Sequence, residues 1–131
     1  MSTDIQAGSS SKAMTWIGWI LTVLPSAMLT MSGVMKLMQP ADLAKGFEHL
    51  GWPMSVATPL GIVELTCTLL YLIPQTAVLG AILLTGYMGG AIATHVRIGE
   101  PFWSQVLVGV VIWLGIFLRD ARLRSLIPIR R

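Results

Sequence analysis

A single carboxylic acid stands in the middle of a long apolar stretch of this sequence. Residues 59–71 read PLGIVELTCTLLY, and Glu64 is their only acidic residue. An ionised carboxylate in hydrocarbon is costly, so such a residue faces a bundle interior, pairs with a cation or takes up a proton. The stretch therefore predicts a helix that turns Glu64 toward other helices.

The low content of charged residues predicts that the solvent is a lipid bilayer. The chain has 131 residues, of which 54% are hydrophobic and only 11% are charged. A soluble domain of this size would carry roughly 25% charged residues. Spanning helices need about 20 residues each, so four spans and short connections fill the chain. The sequence predicts an all-α protein, a transmembrane four-helix bundle in a single domain.

The spans divide the chain into three parts. We expect a disordered polar tail at residues 1–13, the four-helix transmembrane domain at 14–120 and a basic cytoplasmic tail at 121–131. The predicted spans cover about residues 14–38, 55–73, 76–96 and 102–118. Between the first two, Leu43, Phe47 and Leu50 recur at helical spacing, which predicts a short amphipathic helix in the membrane interface.

Polar and small residues mark one face of the first span. Thr22, Ser26, Thr30, Gly33 and Lys36 follow one another at steps of three or four residues. The hydroxyl and small residues are typical of helix packing in membranes. Lys36, near the end of the span, either extends outward to the interface or pairs with a carboxylate.

The second span also has one polar and small face. Ala57, Gly61, Glu64, Thr68 and Tyr71 share it. Small residues beside the carboxylate let another helix approach Glu64 closely.

The third span is rich in glycine. Gly86 and Gly90 form a GxxxG pair there, which predicts close contact between helix backbones.

Sequence motifs for catalysis or metal binding are absent. Cys67 is the only cysteine, and the chain has no CxxC, HExxH, Walker or GxGxxG motif. We therefore predict no catalytic residue and no metal site. The basic residues flank apolar spans, so we predict the lipid bilayer as a partner and not nucleic acid.

The distribution of basic residues predicts the orientation. With four spans, Lys12 and the five arginines of residues 119–131 lie on one side, and Lys36, Lys45 and Arg97 lie on the other. The positive-inside rule then places both termini in the cytoplasm, with the protein in an inner or plasma membrane.

Several polar residues fall toward the outer ends of the spans. Glu64 lies roughly 15 Å below the outer surface at 1.5 Å per residue. We predict a polar pocket that opens outward, with Glu64 at its floor and Lys36, Tyr87, His95 and Arg97 around it. The alternative is that Glu64 only forms hydrogen bonds between packed helices.

Three stretches resemble the DoxX-like family of small four-helix membrane proteins. They are Ser32-Gly33-x-x-Lys36-Leu37-x-x-Pro40, then Gly61-Ile62-Val63-Glu64, and the glycine-rich residues 80–97 that end in His95-Val96-Arg97. The resemblance covers about residues 15–128 and implies a single-domain bundle of four membrane helices. The family takes its name from a subunit associated with quinone-linked sulfur oxidation, and other members are linked to redox homeostasis.

Three functions are compatible with the sequence. The main expectation is a non-catalytic accessory or assembly subunit, beside a redox partner protein in the membrane, because it needs only packing residues. The second is a quinone- or lipid-binding subunit in which Glu64, Tyr87 and His95 contact the head group, with quinone as the cofactor. The third is a small proton-coupled carrier, which in so short a chain requires a homo-oligomer.

Overall fold

The structure, a computed structural model, describes residues 11–131 and is almost entirely helical over that range. Within these residues no strand is present. Short 3₁₀ turns, Met54–Val56 and Pro74–Thr76, precede two of the helices. The helices in chain order are α1 (Lys12–Met38), α2 (Ala41–Leu50), α3 (Ala57–Leu72), α4 (Ala77–Arg97), α5 (Trp103–Arg119) and α6 (Ala121–Arg124).

Helix α1 begins two residues before the predicted start of the first span. Ser11 caps it, because its side chain accepts a hydrogen bond of 3.1 Å from the backbone nitrogen of Met14. We expected a disordered polar tail at residues 1–13. Residues 1–10 of it lie outside the described residues, and residues 12 and 13 are helical.

Helix α2 matches the short amphipathic helix predicted between the first two spans. Phe47 on its apolar face is buried, whereas Lys45 and Glu48 are exposed. Gly51 ends the helix with φ of 79°, in the left-handed region that favours glycine.

The four long helices pack side by side in a ring. Helix α1 contacts α3 and α5, and α4 contacts the same two helices from the opposite side. The small helix α6 packs against α5. Each long helix therefore has two neighbours, and the chain forms a helical bundle.

Glycines allow close approach at three of the four helix contacts. A Cβ atom on Gly61 of α3 would lie 2.9 Å from the carbonyl oxygen of Gly33 in α1. On Gly18 of α1 it would lie 2.8 Å from the carbonyl oxygen of Gly115 in α5. On Gly80 of α4 it would lie 2.2 Å from the backbone of α3. Any side chain at these positions would push the helices apart.

The buried face of α1 departs in part from the predicted stripe. Thr22, Ser26 and Gly33 are buried as expected, but Thr30 is exposed and Leu29 is buried instead. Eight residues separate Thr22 from Thr30, which displaces them by about 80° around a helix of 3.6 residues per turn. A stripe built from successive steps of four residues therefore leaves the packed face.

Polar side chains lie inside this protein and apolar side chains cover its surface. Thr22, Ser26, Glu64 and Thr68 are buried, whereas Trp16 is 71% exposed. Three segments are long and apolar enough to cross a membrane, namely Lys12–Met38, Met54–Leu72 and Pro74–Arg97, and α5 is a shorter apolar helix. The prediction of an all-α protein with several apolar helices is confirmed.

Candidate functional site

Glu64 lies on the packed face of α3, toward the middle of the ring. All five residues of the face predicted for this helix are buried, and Glu64 itself is 1% exposed. These residues are Ala57, Gly61, Glu64, Thr68 and Tyr71. The 3.6-residue period of the sequence was enough to identify the face, because α3 packs along its whole length.

The close crossing of α1 and α3 brings Lys36 to Glu64. Gly33 and Gly61 meet at the crossing, and each of the two charged residues follows its glycine by three positions, about one turn. The Nζ atom of Lys36 donates a hydrogen bond of 2.9 Å to Oε2 of Glu64. Of the two alternatives for Lys36, the structure shows the pairing with a carboxylate.

Two further side chains donate to the same carboxylate oxygen. The hydroxyl of Tyr87 on α4 donates to Oε2 of Glu64 at 3.0 Å, and that of Ser32 on α1 donates at 3.3 Å. Lys36 Nζ also donates to Ser32 Oγ at 2.7 Å. Because hydrogen bonds to a charged acceptor are strong, these donors hold the carboxylate in one orientation and join three helices.

The second oxygen of the same carboxylate has a different environment. Within residues 11–131, every side-chain hydrogen bond of Glu64 ends on Oε2, and none ends on Oε1. In that part of the chain no fully buried side-chain oxygen or nitrogen lacks a partner. Oε1 is therefore the part of the carboxylate that is open to the adjoining cavity, and it can accept a hydrogen bond there.

The cavity has a volume of about 640 Å³ and lies in the half of the ring that includes the end of α1 and the start of α3. Its walls are mainly apolar side chains, among them Met28, Leu60, Met88 and Val108. Its polar lining falls at two levels. Ser32, Lys36, Glu64 and Tyr87 lie at the floor, and Thr94, His95, Ser104 and Gln105 lie toward the mouth.

His95 lines the cavity above Tyr87. Eight residues of α4 separate the two, which is about 12 Å along the helix axis. The Nδ1 atom of His95 lies 2.8 Å from the carbonyl oxygen of Ala91, which can only accept a hydrogen bond. Nδ1 therefore carries a proton and donates it to this oxygen.

Arg97 differs from the other residues predicted for the pocket, since it does not line the cavity. Its guanidinium donates to the carbonyl oxygen of Leu50 and lies 5.3 Å from the centre of the Trp52 ring. Arg97 is the last residue of α4, and its side chain reaches across to the end of α2. The structure thus brings together Glu64, Lys36, Tyr87 and His95, and it places Arg97 outside them.

Helix α2 and the residues after it cover the mouth. Phe47, Leu50 and Trp52 line the cavity from that side. The Trp52 indole nitrogen donates to Thr94 Oγ1 at 3.3 Å. On the outer surface His49 pairs with Glu100, which follows α4. Together with Arg97, these contacts fasten the cover to α4 and to the connection after it.

The GxxxG pair of α4 has a different role from the predicted one. Gly86 and Gly90 line the cavity, and no atom of another helix lies within 4 Å of the Cβ position at either residue. The prediction of close backbone contact at this pair is wrong. The two glycines instead leave space beside Tyr87, and close contact occurs at Gly80, two turns earlier.

A second polar cluster at the opposite end of the ring was not predicted. Arg119, expected to belong to the basic end of the chain, is half-buried between α1, α3 and α5. Its Nε atom donates to Thr22 Oγ1 at 3.0 Å, and its guanidinium lies 4.2 Å from the centre of the Trp19 ring. The Tyr71 hydroxyl, nearby, donates to the Ile112 carbonyl oxygen at 2.5 Å. The only signal for this cluster in the sequence was that the spacing placed Thr22 and Tyr71 on the polar and small faces of the first two spans.

The chemistry that the floor of the cavity offers follows from this geometry. Lys36 and Glu64 neutralise each other, so the floor has no net formal charge. It presents one open carboxylate oxygen and the third N–H of an ammonium group, since two are already used. An uncharged polar group with both donor and acceptor atoms matches this arrangement.

Comparison with known proteins agrees with the resemblance in the sequence. A family model described as the DoxX-like family matches residues 20–118, which extend from α1 to the end of α5. Searches of the curated proteins and of the solved structures found no match. The family match and the three candidate spans identify an integral membrane protein. The chain therefore belongs to the DoxX-like family.

Proposed function

We propose that the protein is a non-enzymatic membrane subunit that binds a small amphipathic molecule, a quinone or a lipid, in the cavity above Glu64. The observation that carries this proposal is the asymmetry of the Glu64 carboxylate. Three donors hold Oε2, while Oε1 is open to a cavity of about 640 Å³. A carboxylate whose only role was to join packed helices would not require an adjoining cavity.

The size and lining of the cavity support a small amphipathic ligand. Pockets for such molecules have volumes of about 300–1,000 Å³, apolar walls and a few well-placed polar groups. At the floor, Oε1 of Glu64 is an acceptor and the ammonium group of Lys36 is a donor. A quinol head group offers the complementary atoms, because its hydroxyls both donate and accept, and it has an uncharged ring for the apolar walls.

The proposed orientation places the cavity on the outer side of the membrane. We infer four spans, α1, α3, α4 and α5, with both termini in the cytoplasm. Lys12, Arg119, Arg122, Arg124, Arg130 and Arg131 then lie at the cytoplasmic side, as the positive-inside rule requires. Helix α2 lies over the outer mouth, where its apolar face packs on the ring and its polar face meets water.

The cavity favours ligand binding over the two other functions considered. An accessory or assembly subunit without a ligand needs only the helix contacts. A carrier needs a route through the inner half of the ring, where Tyr71, Leu84 and Ile116 are fully buried. A binding subunit needs access from one side only, and it would exchange a quinone with a redox partner protein in the same membrane.

Ligand binding can be tested with a benzoquinol that carries a ten-carbon tail and is kept in its reduced form, so that its hydroxyl can donate to Glu64. We expect the detergent-purified full chain to bind it with a measurable heat in titration calorimetry. Glu64→Gln removes the charge and keeps the shape, and we expect it to weaken binding about tenfold, since hydrogen bonds to charged groups contribute roughly 1.5–3 kcal/mol. Organic extraction of the purified protein would show whether a quinone is retained.

The matched control is Glu48→Gln, which removes a carboxylate on the exposed face of α2. It should bind the quinol as the unmodified chain does. Equal binding by the Glu64 and Glu48 variants, with both folded, would show that Glu64 is only a packing residue and would overturn the proposal.

A further inference from the structure

A second, separate cavity is an open groove along the contact between α4 and α5. It has a volume of about 640 Å³ and shares only Met88 and Gln105 with the cavity above Glu64. On α5 it extends from Gln105 to Phe117, about 18 Å along the helix axis. Its inner end is formed by Ile127 and Pro128, after α6.

The groove is open because side chains are missing from its walls. At Gly89 of α4 and at Gly109 of α5, no atom of another element lies within 4 Å of the Cβ position. Two of its polar atoms satisfy each other, since the Trp113 indole nitrogen donates to Thr85 Oγ1 at 2.6 Å. The surface that remains is almost entirely hydrocarbon, and its length suits an extended alkyl chain.

Positive charge is concentrated at the inner end of the groove. Arg122, Arg130 and Arg131 are close in the sequence to the groove residues Ile127 and Pro128, and all three are exposed. Arg130 follows Pro128 by two residues, so their Cα atoms are at most about 7 Å apart. Among residues 11–131 the carboxylates that contact a basic side chain are those of Glu64, with Lys36, and Glu100, with His49, so none pairs with these three arginines.

The other charged groups at this end are already engaged. The Asp120 carboxylate accepts hydrogen bonds from the backbone nitrogens of Arg122 and Leu123, at 2.9 and 3.4 Å. Arg124 donates to the carbonyl oxygens of Phe117 and Leu118 at the end of α5. Residues 119–131 contain five arginines and one acidic residue, Asp120, so the net side-chain charge next to the groove is positive.

We propose that this groove binds an anionic phospholipid, with one acyl chain between α4 and α5 and the phosphate group at Arg130 and Arg131. The apolar groove accounts for the chain, and the arginines account for the sign of the head group. A zwitterionic lipid would place its own ammonium group among the arginines, which repel it. The proposed lipid head-group site lies at the opposite end of the ring from the cavity above Glu64. It does not depend on ligand binding in that cavity.

Native mass spectrometry of the detergent-purified full chain tests this proposal. The probes are phosphatidylglycerol and phosphatidylcholine with the same acyl chains, supplied in equal amounts. We expect the protein to retain one phosphatidylglycerol in preference to phosphatidylcholine. The double variant Arg130→Gln/Arg131→Gln should lower that retention about tenfold or more, because each basic residue near an anionic head group contributes on the order of a fivefold factor.

A groove variant tests the acyl chain. Gly109→Leu fills the groove from α5, and Gly89→Leu fills it from α4, so each should lower lipid retention by at least the same order. Two variants are used because either one alone could disturb the α4–α5 contact.

The matched controls change equivalent residues away from the groove. Lys12→Gln removes a basic residue at the start of α1, and Gly46→Leu adds a side chain to α2, where nothing lies within 4 Å of the Cβ position. Both should retain the lipid. Equal retention of the two lipids by the unmodified chain would overturn the proposal. So would a lipid-free dimer that Gly109→Leu converts to a monomer, because a second copy would then occupy the groove.

Discussion

Lys36 and Glu64 form an ion pair across the closest crossing of α1 and α3, with side chains only 15% and 2% exposed. Gly33 and Gly61 sit three residues before them and let the two backbones meet. The close approach of the two backbones therefore brings the two side chains within reach of each other. That makes the ion pair both a helix contact and the floor of a cavity, and the two roles can be separated by mutation.

Removal of one partner should be worse than removal of both. Lys36→Met leaves a buried carboxylate without its cation, and we expect a loss of about 3 kcal/mol in the free energy of unfolding. The double variant Lys36→Met/Glu64→Gln should recover part of that loss. Unfolding in mixed detergent micelles measures each value. Lys45→Met on the exposed face of α2 is the control, and strictly additive losses would contradict the pairing.

Gly80 should tolerate no side chain. A Cβ atom there would lie 2.2 Å from the backbone nitrogen of Tyr71 and 2.4 Å from its Cα atom. We expect Gly80→Ala to destabilise the fold by about 3 kcal/mol or to prevent folding, because two backbones would have to separate. Thermal unfolding measures the effect. Gly86→Ala on the same helix meets nothing within 4 Å, so it should be neutral or slightly stabilising.

Arg97 should control the mobility of the cover over the cavity. Its contacts with the Leu50 carbonyl oxygen and the Trp52 ring hold the end of α2 to α4. We expect Arg97→Gln to increase amide hydrogen exchange in residues 41–52 and to leave exchange in α3 unchanged. Lys45→Gln, within α2 itself, should not change either segment. A uniform rise over the whole chain would mean that Arg97 acts on global stability.

Arg119 should stabilise the end of the ring opposite the cavity, although it has no ion pair within residues 11–131. Its guanidinium bridges Thr22, the carbonyl oxygen of Tyr71 and the Trp19 ring. Arg119→Gln should cost about 1–2 kcal/mol in the free energy of unfolding, from one or two hydrogen bonds and a cation–π contact. The exposed Arg122→Gln, three residues later, should cost nothing measurable. An equal effect of the two would show that only net charge matters.

The sequence was most informative where a helix packs along its whole length. The face of α3 around Glu64 and the amphipathic pattern of α2 follow from periodicity alone, because each buries one continuous stripe. The stripe of α1 failed at Thr30, since steps of four residues drift away from a helix of 3.6 residues per turn.

Contacts between helices could not be derived in the same way. Whether a glycine meets a backbone or leaves a space depends on where two helices cross, and the sequence does not specify the crossing. Gly80 and Gly86 look alike in the sequence, yet one touches α3 and the other faces a cavity. Arg97 and Arg119 both follow apolar spans, and only the tertiary arrangement turns one toward α2 and the other into the ring.

The unequal lengths of the helices affect the membrane around the protein. Helix α1 has 27 residues and α5 has 17, so they are about 40 and 25 Å long at 1.5 Å per residue. A hydrocarbon layer about 30 Å thick exceeds α5 and falls short of α1. In the proposed arrangement of four spans, lipids would thin along the α5 flank, and α1 would tilt or extend into the head groups. Hydrophobic mismatch of this kind would give the protein one flank that suits thin membrane and another that suits thick membrane.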